Sequence, residues 1–112
     1  MDQRLRGAWA ASASDCSRLL QKRGGGWSFR PKTNQFEQAY IISANKVMSP
    51  GGSCSIAGTS QAKHKSGLRL SCKNSVSYMT MDVRVTLQGD TQMTYGYTGD
   101  AVLDVSYVKC AP

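Results

Sequence analysis

Residues that could perform acid–base or nucleophilic chemistry are few in this chain of 112 residues. The single histidine, His64, lies between Lys63 and Lys65 in a loop-like stretch, and no carboxylate is close enough in sequence to orient it as a catalytic base. Five of the seven acidic residues fall near predicted strand ends, turns or a terminus, where solvated carboxylates are common. We therefore predict that the protein is not an enzyme.

The sequence also offers no pattern for holding a metal, a nucleotide or another cofactor. The glycine-rich segment RGGGW lacks the Lys-Ser/Thr ending of a phosphate-binding loop. No two cysteines form a C-x-x-C pair, which zinc ribbons and thioredoxin-like sites require. An even number of cysteines without that spacing favours two disulfides, which persist in oxidising compartments. We expect a periplasmic or secreted protein whose export signal has been removed, with disulfides among Cys16, Cys54, Cys72 and Cys110.

Two clusters of cations are the candidate binding residues. In KRGGGWSFRPK, cations alternate with aromatic rings, a composition that can bind a polyanion or single-stranded nucleic acid through charge and stacking. The same pattern fits a strand whose rings, Trp27 and Phe29, belong to the core while its cations point outward. The second cluster lies in KHKSGLRLSCK. The candidate binding residues are Lys22, Arg23, Trp27, Arg30 and Lys32 in the first cluster and Lys63, His64, Lys65, Arg69 and Lys73 in the second.

The positive charge is concentrated in the first two thirds of the chain. The net charge of +7 divides into twelve Lys or Arg against three acidic residues in positions 1–73, and two against four in positions 74–112. A positive surface favours anionic partners, and it also keeps a secreted protein soluble. The sequence leaves both interpretations open.

Short β-strands are the main elements that must position these residues. One helix is predicted in SDCSRLLQKRGGG, with Ser14 or Asp15 as its N-cap. Its last turn contains Lys22 and Arg23, where cations suit the helix dipole, and Gly24 is predicted to end it. Seven or eight strands follow from runs rich in β-branched and aromatic residues, in GAWA, GWSFR, QAYIIS, GSCSIAG, GLRLSCK, MDVRVTL, QMTYGY and VLDVSYVKC.

The alternation of apolar residues predicts one disulfide. Antiparallel pairing of GSCSIAG with GLRLSCK places Cys54 opposite Cys72 and, in the same register, Ile56 opposite Leu70. We therefore predict a disulfide between these neighbouring strands, with TSQAKHKSG as their connecting loop. The two remaining cysteines would then tie the opening segment to the last strand. The other two connectivities stay open, because sequence alone does not choose among three.

A second hairpin is predicted in VRVTLQGDTQMTY. A two-residue turn would place the apolar residues of its first strand opposite polar ones, whereas a longer loop centred on Asp90 buries both strands. In the last strand, Leu103, Val105 and Tyr107 share one face. The longer loop pairs Val83 with Tyr97, Val85 with Tyr95 and Leu87 with Met93.

The opening segment LRGAWA has a physical interpretation of its own. A glycine before a tryptophan lets the chain turn tightly, so that the indole closes one end of a barrel or sandwich while an Arg stacks over its face. This G-x-W pattern, Gly7 and Trp9 here, resembles the start of small lipocalin-like barrels, including the avidins and the bacterial metalloprotease inhibitors of the alkaline-protease-inhibitor type. The segment SCSIAGTSQAKHKSGLRLSC is similar to the disulfide hairpin of those inhibitors. The resemblance implies an eight-stranded barrel whose N-terminal segment enters a protease cleft.

These observations predict one domain, residues 1–112, with an all-β fold. It is a small antiparallel β-barrel or sandwich of seven to eight strands with a short N-terminal helix. The predicted structural residues are Gly7, Trp9 and the disulfides Cys54–Cys72 and Cys16–Cys110. The predicted function is binding without catalysis, by an exported protein of the bacterial cell envelope that binds or inhibits another protein such as a hydrolase. The alternative is a basic module that binds lipopolysaccharide, acidic glycan or nucleic acid, and a third candidate is a small apolar ligand in a hollow barrel.

Overall fold

The computed structural model describes residues 2–73, 76–97 and 104–111, and most of these lie in short β-strands. The segment Gln3–Leu5 forms a 3₁₀ turn, and one short helix, α1, spans Ala13–Leu19. The strands are β1 (Gly7–Ala10), β2 (Leu20–Arg23), β3 (Gly26–Phe29), β4 (Ala39–Ile42), β5 (Lys46–Ser49), β6 (Gly52–Ala62), β7 (Lys65–Lys73), β8 (Tyr78–Leu87), β9 (Gln92–Tyr97) and β10 (Val105–Lys109).

Eight strands form one closed antiparallel barrel, which confirms the all-β prediction and selects a barrel over a sandwich. Around the barrel the order is β1, β10, β9, β8, β7, β6, β5 and β4, and β4 pairs with β1 to close it. The other two strands, β2 and β3, form a separate hairpin. Because neighbouring strands alternate in direction, β1, β5, β7 and β9 begin at one end, which we call the lower end. The other four strands of the barrel begin at the upper end.

The registers predicted from apolar alternation are confirmed. Cys54 lies opposite Cys72, and Ile56 lies opposite Leu70, in the ladder between β6 and β7. A disulfide joins Cys54 to Cys72, and a second disulfide joins α1 to the residue after β10. The predicted connectivity, Cys54–Cys72 and Cys16–Cys110, is therefore confirmed. The hairpin of β8 and β9 has the longer loop, with Val83, Val85 and Leu87 opposite Tyr97, Tyr95 and Met93.

One predicted loop is wrong. The segment TSQAKHKSG is mostly strand, because β6 continues to Ala62 and β7 starts at Lys65, which leaves only Lys63 and His64 as the turn. Polar residues can extend the ladder there because the backbone hydrogen bonds need no apolar side chains. Two residues of the predicted last strand, Val102 and Leu103, lie outside the described residues, and β10 is described from Val105.

The predicted helix has different ends. Its N-cap is Ser12 instead of Ser14 or Asp15, and the Ser12 hydroxyl accepts a hydrogen bond from the Asp15 amide at 3.3 Å. The helix ends at Leu19, because Leu20 adopts an extended backbone with φ −125° and ψ 152°. The sequence pattern missed this end because Leu19 and Leu20 are both buried, one at the end of the helix and one at the start of β2.

The residues after the helix form a hairpin, which corrects their predicted roles. Lys22 and Arg23 lie in β2 and not in a last helical turn. Gly24 turns the hairpin instead of ending a helix. Gly24 and Gly25 have φ values of +58° and +82°, which fit the tight two-residue turns that glycine favours. Besides β2, the sequence analysis also missed β5, a four-residue strand with a single β-branched residue.

Side chains from every strand of the barrel fill its interior. Trp9 is fully buried, and its indole Nε1 donates a hydrogen bond to the carbonyl oxygen of Leu5 at 2.9 Å. Leu5 is also fully buried, so the 3₁₀ turn closes the lower end. Nearer the upper end, the Tyr40 and Tyr95 rings stack at 4.3 Å between centroids, and Tyr107 packs edge-on against both.

The G-x-W segment works as predicted except for the cation. Gly7 has a φ of +135°, and a Cβ there would lie 2.9 Å from Cε of Lys109. The Lys109 ammonium lies 5.6 Å from the Trp9 ring centroid and donates a hydrogen bond to the Arg4 carbonyl at 2.9 Å. An arginine was predicted over the ring, but Lys109 takes the place because β10 pairs with β1 and sets Lys109 opposite Trp9.

A second apolar core lies outside the barrel wall. The chain between β1 and β4 folds back as α1 and the β2–β3 hairpin, and it covers the outer face of those two strands. Its half-buried rings include Trp27 and Phe29, so the prediction that these rings pack in a core is confirmed. The buried residues of this second core are Ala8, Ala10, Leu19, Leu20, Ala39, Ile41 and Cys110.

Candidate binding surfaces

The structure separates the two predicted cation clusters. The first lies on the hairpin outside β1 and β4, and the second lies on β7 and the turn before it. Since β1 and β7 are four strands apart in either direction around an eight-stranded barrel, the clusters are on opposite sides and do not form one site. We call them the hairpin cluster, which contains Lys22, Arg23, Trp27, Arg30 and Lys32, and the β7 cluster, which contains Lys63, His64, Lys65, Arg69 and Lys73.

A cavity lies within the hairpin cluster. Its volume is about 430 Å³, and three predicted binding residues, Lys22, Trp27 and Arg30, line it. The Lys22 ammonium lies 5.4 Å from the Trp27 ring centroid. Nε of Arg30 donates a hydrogen bond to the Ser17 carbonyl of α1 at 2.7 Å. The two cations and the indole ring, which alternate along the sequence, therefore line one concave surface.

The β7 cluster is a row of exposed cations on the outer face of the barrel. Lys65, Arg69 and Lys73 are four residues apart on the outer side of β7, so consecutive side chains are separated by about 13 Å. Arg69 donates a hydrogen bond to Asp82 of β8 at 3.0 Å, and this contact raises the pKa of its guanidinium. The central cation is thus paired with a carboxylate, while His64 is an exposed turn residue.

Acidic side chains elsewhere in the described structure are also paired with arginines. Each acidic residue in the described part of the chain lies within 4.0 Å of an arginine, whereas no lysine forms an ion pair with another described residue. The hydrogen bond from Arg4 lowers the pKa of Asp2 to about 2. The hydrogen bond from Arg18 likewise lowers the pKa of Glu37. The ionised forms of Asp2 and Glu37 are therefore favoured.

The tyrosines inside the barrel are the most strongly shifted titratable groups. Burial raises the pKa of Tyr40, Tyr95 and Tyr107. These phenols therefore stay neutral at ordinary pH. Among the described residues, no group of three or more His, Cys, Asp or Glu could hold a metal ion, and no helix is long and apolar enough to cross a membrane.

Exposed apolar side chains gather at the upper end of the barrel. Strand β8 begins there and β9 ends there, which accounts for four of the five large apolar residues that are exposed in the described parts of the chain. The fifth, Phe36, comes three residues before β4, which also begins at the upper end. The backbone beside Phe36 contacts the β5–β6 turn at that end, since the Gln35 carbonyl lies 3.3 Å from the Cβ position of Gly51. We call this set the apolar rim: Phe36, Val76, Tyr78, Met79 and Tyr97.

A smaller cavity opens beside the apolar rim. Its volume is about 240 Å³, and its lining includes Met79, Met81 and the Cys54–Cys72 disulfide. Sulfur-containing side chains are polarizable and adapt to differently shaped partners. Among the described residues that line it, Lys73, from the end of the β7 cluster, is the one that carries a charge.

The sequence analysis did not identify the apolar rim. Its members come from three separate segments, which meet only when the barrel closes. One signal was available in SVSYM, where apolar residues occupy both phases of the strand alternation just before the β8 run. Such a segment exposes one apolar set unless another element covers it.

We compared the chain with protein-family models, with curated protein sequences and with solved structures, and none of the three comparisons produced a match.

Proposed function

We propose that this chain is a non-catalytic, exported binding protein whose apolar rim docks on another protein, such as a hydrolase. The observation that carries the proposal is the gathering of the exposed large apolar side chains at one end of the barrel. Phe36 and Val76 are 82% and 89% exposed, which is costly for a protein that works alone in water. Aromatic residues and methionine are enriched where proteins bind one another.

The cavity beside the rim suits an anchoring side chain. Its volume of about 240 Å³ accommodates one large apolar or aromatic residue of a partner. Met79 and Met81 can adjust around such a group, and sulfur contacts with an aromatic ring are favourable. Insertion of a single anchor, surrounded by contacts that exclude water, is the usual source of affinity in protein interfaces.

The charge of the protein indicates what the partner presents around that anchor. The lysines have no carboxylate partner among the described residues, and Lys73 borders the cavity. A partner with acidic residues around its apolar patch is therefore favoured, whereas a strongly cationic partner is repelled.

The contacts of the N-terminal segment support placing partner binding at the upper end. Leu5 is fully buried, and Arg4 is held by Asp2 and by Asp90 at 2.8 and 3.5 Å. The segment closes the lower end of the barrel, so we assign partner binding to the upper end. Export to the periplasm or beyond is supported by the two disulfides, which persist in oxidising surroundings.

Capture from a cell-envelope extract, with elution by a salt gradient, tests the proposal. The variants Phe36→Glu and Met79→Glu should each weaken retention of the captured protein at least about 30-fold, because they place a charge in an apolar contact. The control, Gln92→Glu, adds the same charge at the exposed lower end and should bind normally. Retention that is unchanged in both rim variants, or that is lost at about 200 mM salt, contradicts the proposal.

The row of lysines on β7 favours a second candidate function, the binding of lipopolysaccharide, acidic glycan or nucleic acid. Lys63, Lys65 and Lys73 are exposed and lack carboxylate partners among the described residues. The double variant Lys63→Gln, Lys65→Gln should then elute earlier from immobilised heparin, while Phe36→Glu elutes with the unmodified protein. The reverse pattern supports the apolar rim.

A further inference from the structure

We propose that the cavity of the hairpin cluster binds a small organic anion with a flat apolar group, such as an aromatic carboxylate. This site is separate from the apolar rim and does not depend on the proposed function. Its volume of about 430 Å³ falls within the range of small-molecule sites, roughly 300 to 1,000 Å³. The half-buried face of Trp27 forms one wall, while Leu20 and Cys16 provide further apolar surface.

Three cations line this cavity, and the Lys109 ammonium is already bonded to the Arg4 carbonyl. The other two, Lys22 and Arg30, have no anionic partner among the described residues. Lys22 and Arg30 are in no ion pair, although every described carboxylate is paired with some arginine. Arg18, on the neighbouring helix, shows the contrast, since it contacts Asp15 and Glu37 at 3.0 Å each. The local carboxylates are thus taken up by Arg18, and the charges that border the cavity remain available for an external anion.

Arg30 is oriented for this task. Its Nε donates to the Ser17 carbonyl at 2.7 Å, and its amide donates to the Leu19 carbonyl at 2.8 Å. These contacts fix the guanidinium against α1, while its terminal nitrogens make no hydrogen bond within the described part of the chain. A planar guanidinium with two available N–H groups matches the geometry of a carboxylate.

Trp27 and Lys22 define the rest of the ligand. The Lys22 ammonium lies 5.4 Å from the centre of the indole, so the ring face is accessible to a positive or flat apolar group. A ligand ring that stacks on the indole displaces this ammonium, which can then pair with the ligand's own negative charge. The two requirements, a flat ring and an anion close to it, describe an aromatic carboxylate.

The cavity is held in shape before a ligand arrives. Cys16, in its lining, is cross-linked to Cys110, and Leu20 is almost fully buried in the second core. A site whose walls are already ordered loses little conformational entropy on binding. The disulfide from α1 to the end of β10 therefore supports the site as well as the fold.

The test is a titration of the whole oxidised protein with 2-naphthoate, followed by the indole N–H signals in NMR spectra. The two tryptophans provide an internal control, because Trp9 is buried and bonded to Leu5 whereas Trp27 lines the cavity. We expect the Trp27 signal to shift and the Trp9 signal to stay in place. The neutral analogue 2-naphthalenemethanol should bind at least about tenfold more weakly, since it cannot pair with the cations.

Substitutions test whether 2-naphthoate binds in this cavity. Arg30→Gln and Lys22→Gln should each weaken 2-naphthoate about tenfold. The matched control, Lys63→Gln with Lys65→Gln, removes two cations on the opposite side of the barrel and should change nothing. An unchanged Trp9 signal in each variant shows that the barrel is folded. Equal binding of the neutral analogue, unchanged affinity in Arg30→Gln, or no Trp27 shift at millimolar ligand overturns the proposal.

Discussion

The two sides of the barrel wall differ in what covers them. On the side of β1 and β4, outward-facing residues such as Ala8, Ala10 and Ile41 are buried beneath α1 and the β2–β3 hairpin. On the side of β6, β7 and β8, most outward-facing positions hold Ser, Thr, Gly or charged residues, and they are mostly exposed. The inward-facing residues are apolar on both sides. One barrel therefore contains strands that are buried on both faces and strands that are buried on one face only.

This difference shows how the sequence of a strand reports its surroundings. Strand β4 reads Ala-Tyr-Ile-Ile, and its apolar residues occur in both phases because both faces are buried. Strand β7 alternates, with Leu68 and Leu70 inward and Arg69 outward, because only one face is buried. A strand that is apolar in both phases thus indicates a second layer, even before that layer is known.

The largest expected loss of stability comes from removing the disulfide that holds α1 and the β2–β3 hairpin against the barrel. The Cys16–Cys110 disulfide closes a separation of 94 residues, whereas Cys54–Cys72 closes 18 within one hairpin. In the chain-entropy model, removing the first by Cys16→Ala, Cys110→Ala should lower the free energy of unfolding by about 4 to 5 kcal/mol, against about 3 kcal/mol for Cys54→Ala, Cys72→Ala. Urea unfolding of both double variants measures the difference. A larger loss for the hairpin pair contradicts this ranking.

A smaller effect is expected from single truncations on the two outer faces. Ile41→Ala removes a side chain that is 7% exposed in the second core, and it should lower the free energy of unfolding by about 2 to 3 kcal/mol. Ser55→Ala, at an exposed outward position of β6, should change it by less than about 0.5 kcal/mol. Denaturant midpoints at equal m-values provide the comparison. Equal costs at the two positions would mean that the covering layer adds little packing energy.

Alkaline pH should distinguish the tyrosines inside the barrel from Tyr78 at its rim. No change in stability from these tyrosines is expected near neutral pH. Burial raises the pKa of Tyr40, Tyr95 and Tyr107 above the ordinary value of 10.0. The stability that depends on these neutral phenols is complete below pH 10 and is lost as pH rises above it, because the unfolded chain then ionises while the folded barrel resists. Exposed Tyr78, whose pKa is lowered by its hydrogen bond with Ser71, should titrate first.

Absorbance of ionised phenol, followed together with circular dichroism, checks this order. We expect Tyr78 to ionise without loss of structure and the interior tyrosines to ionise only as the barrel unfolds. The variant Tyr78→Phe should reduce the early step and leave the later one unchanged. If all the tyrosines titrate together while circular dichroism stays constant, the interior is open to solvent and the assignment of Tyr40 and Tyr95 to a dry core fails.

Local patterns predicted the registers well. The pairs Cys54–Cys72 and Val85–Tyr95 follow from alternation within a few residues on each strand, and a slip by one residue would turn every apolar side chain outward. The same argument predicted that Trp27 and Phe29 pack in a core. It did not predict where the helix ends, because Leu19 and Leu20 extend the helical pattern by one residue into β2.

Candidate sites were harder to predict than strands. The sequence identified Lys22, Trp27 and Arg30, and the structure places them around one cavity. It also proposed a second cluster with β7 residues such as Lys65, and this cluster lies across the barrel. It also missed the apolar rim, whose residues come from the ends of different strands. Contacts of this kind depend on strand order around the barrel, which no local pattern specifies.

The amino-acid sequence by itself predicted the all-β class, the registers of two hairpins and the pairing of Cys54 with Cys72, because each follows from side-chain alternation over a few residues. The tertiary structure alone decided which charges are neutralised, such as Arg69 by Asp82, and which are left available, such as Lys22 and Arg30. It also decided which apolar residues stay exposed. These outcomes arise when closure of the barrel brings distant segments together, and Coulomb and packing forces act on distance in space and not on distance along the chain.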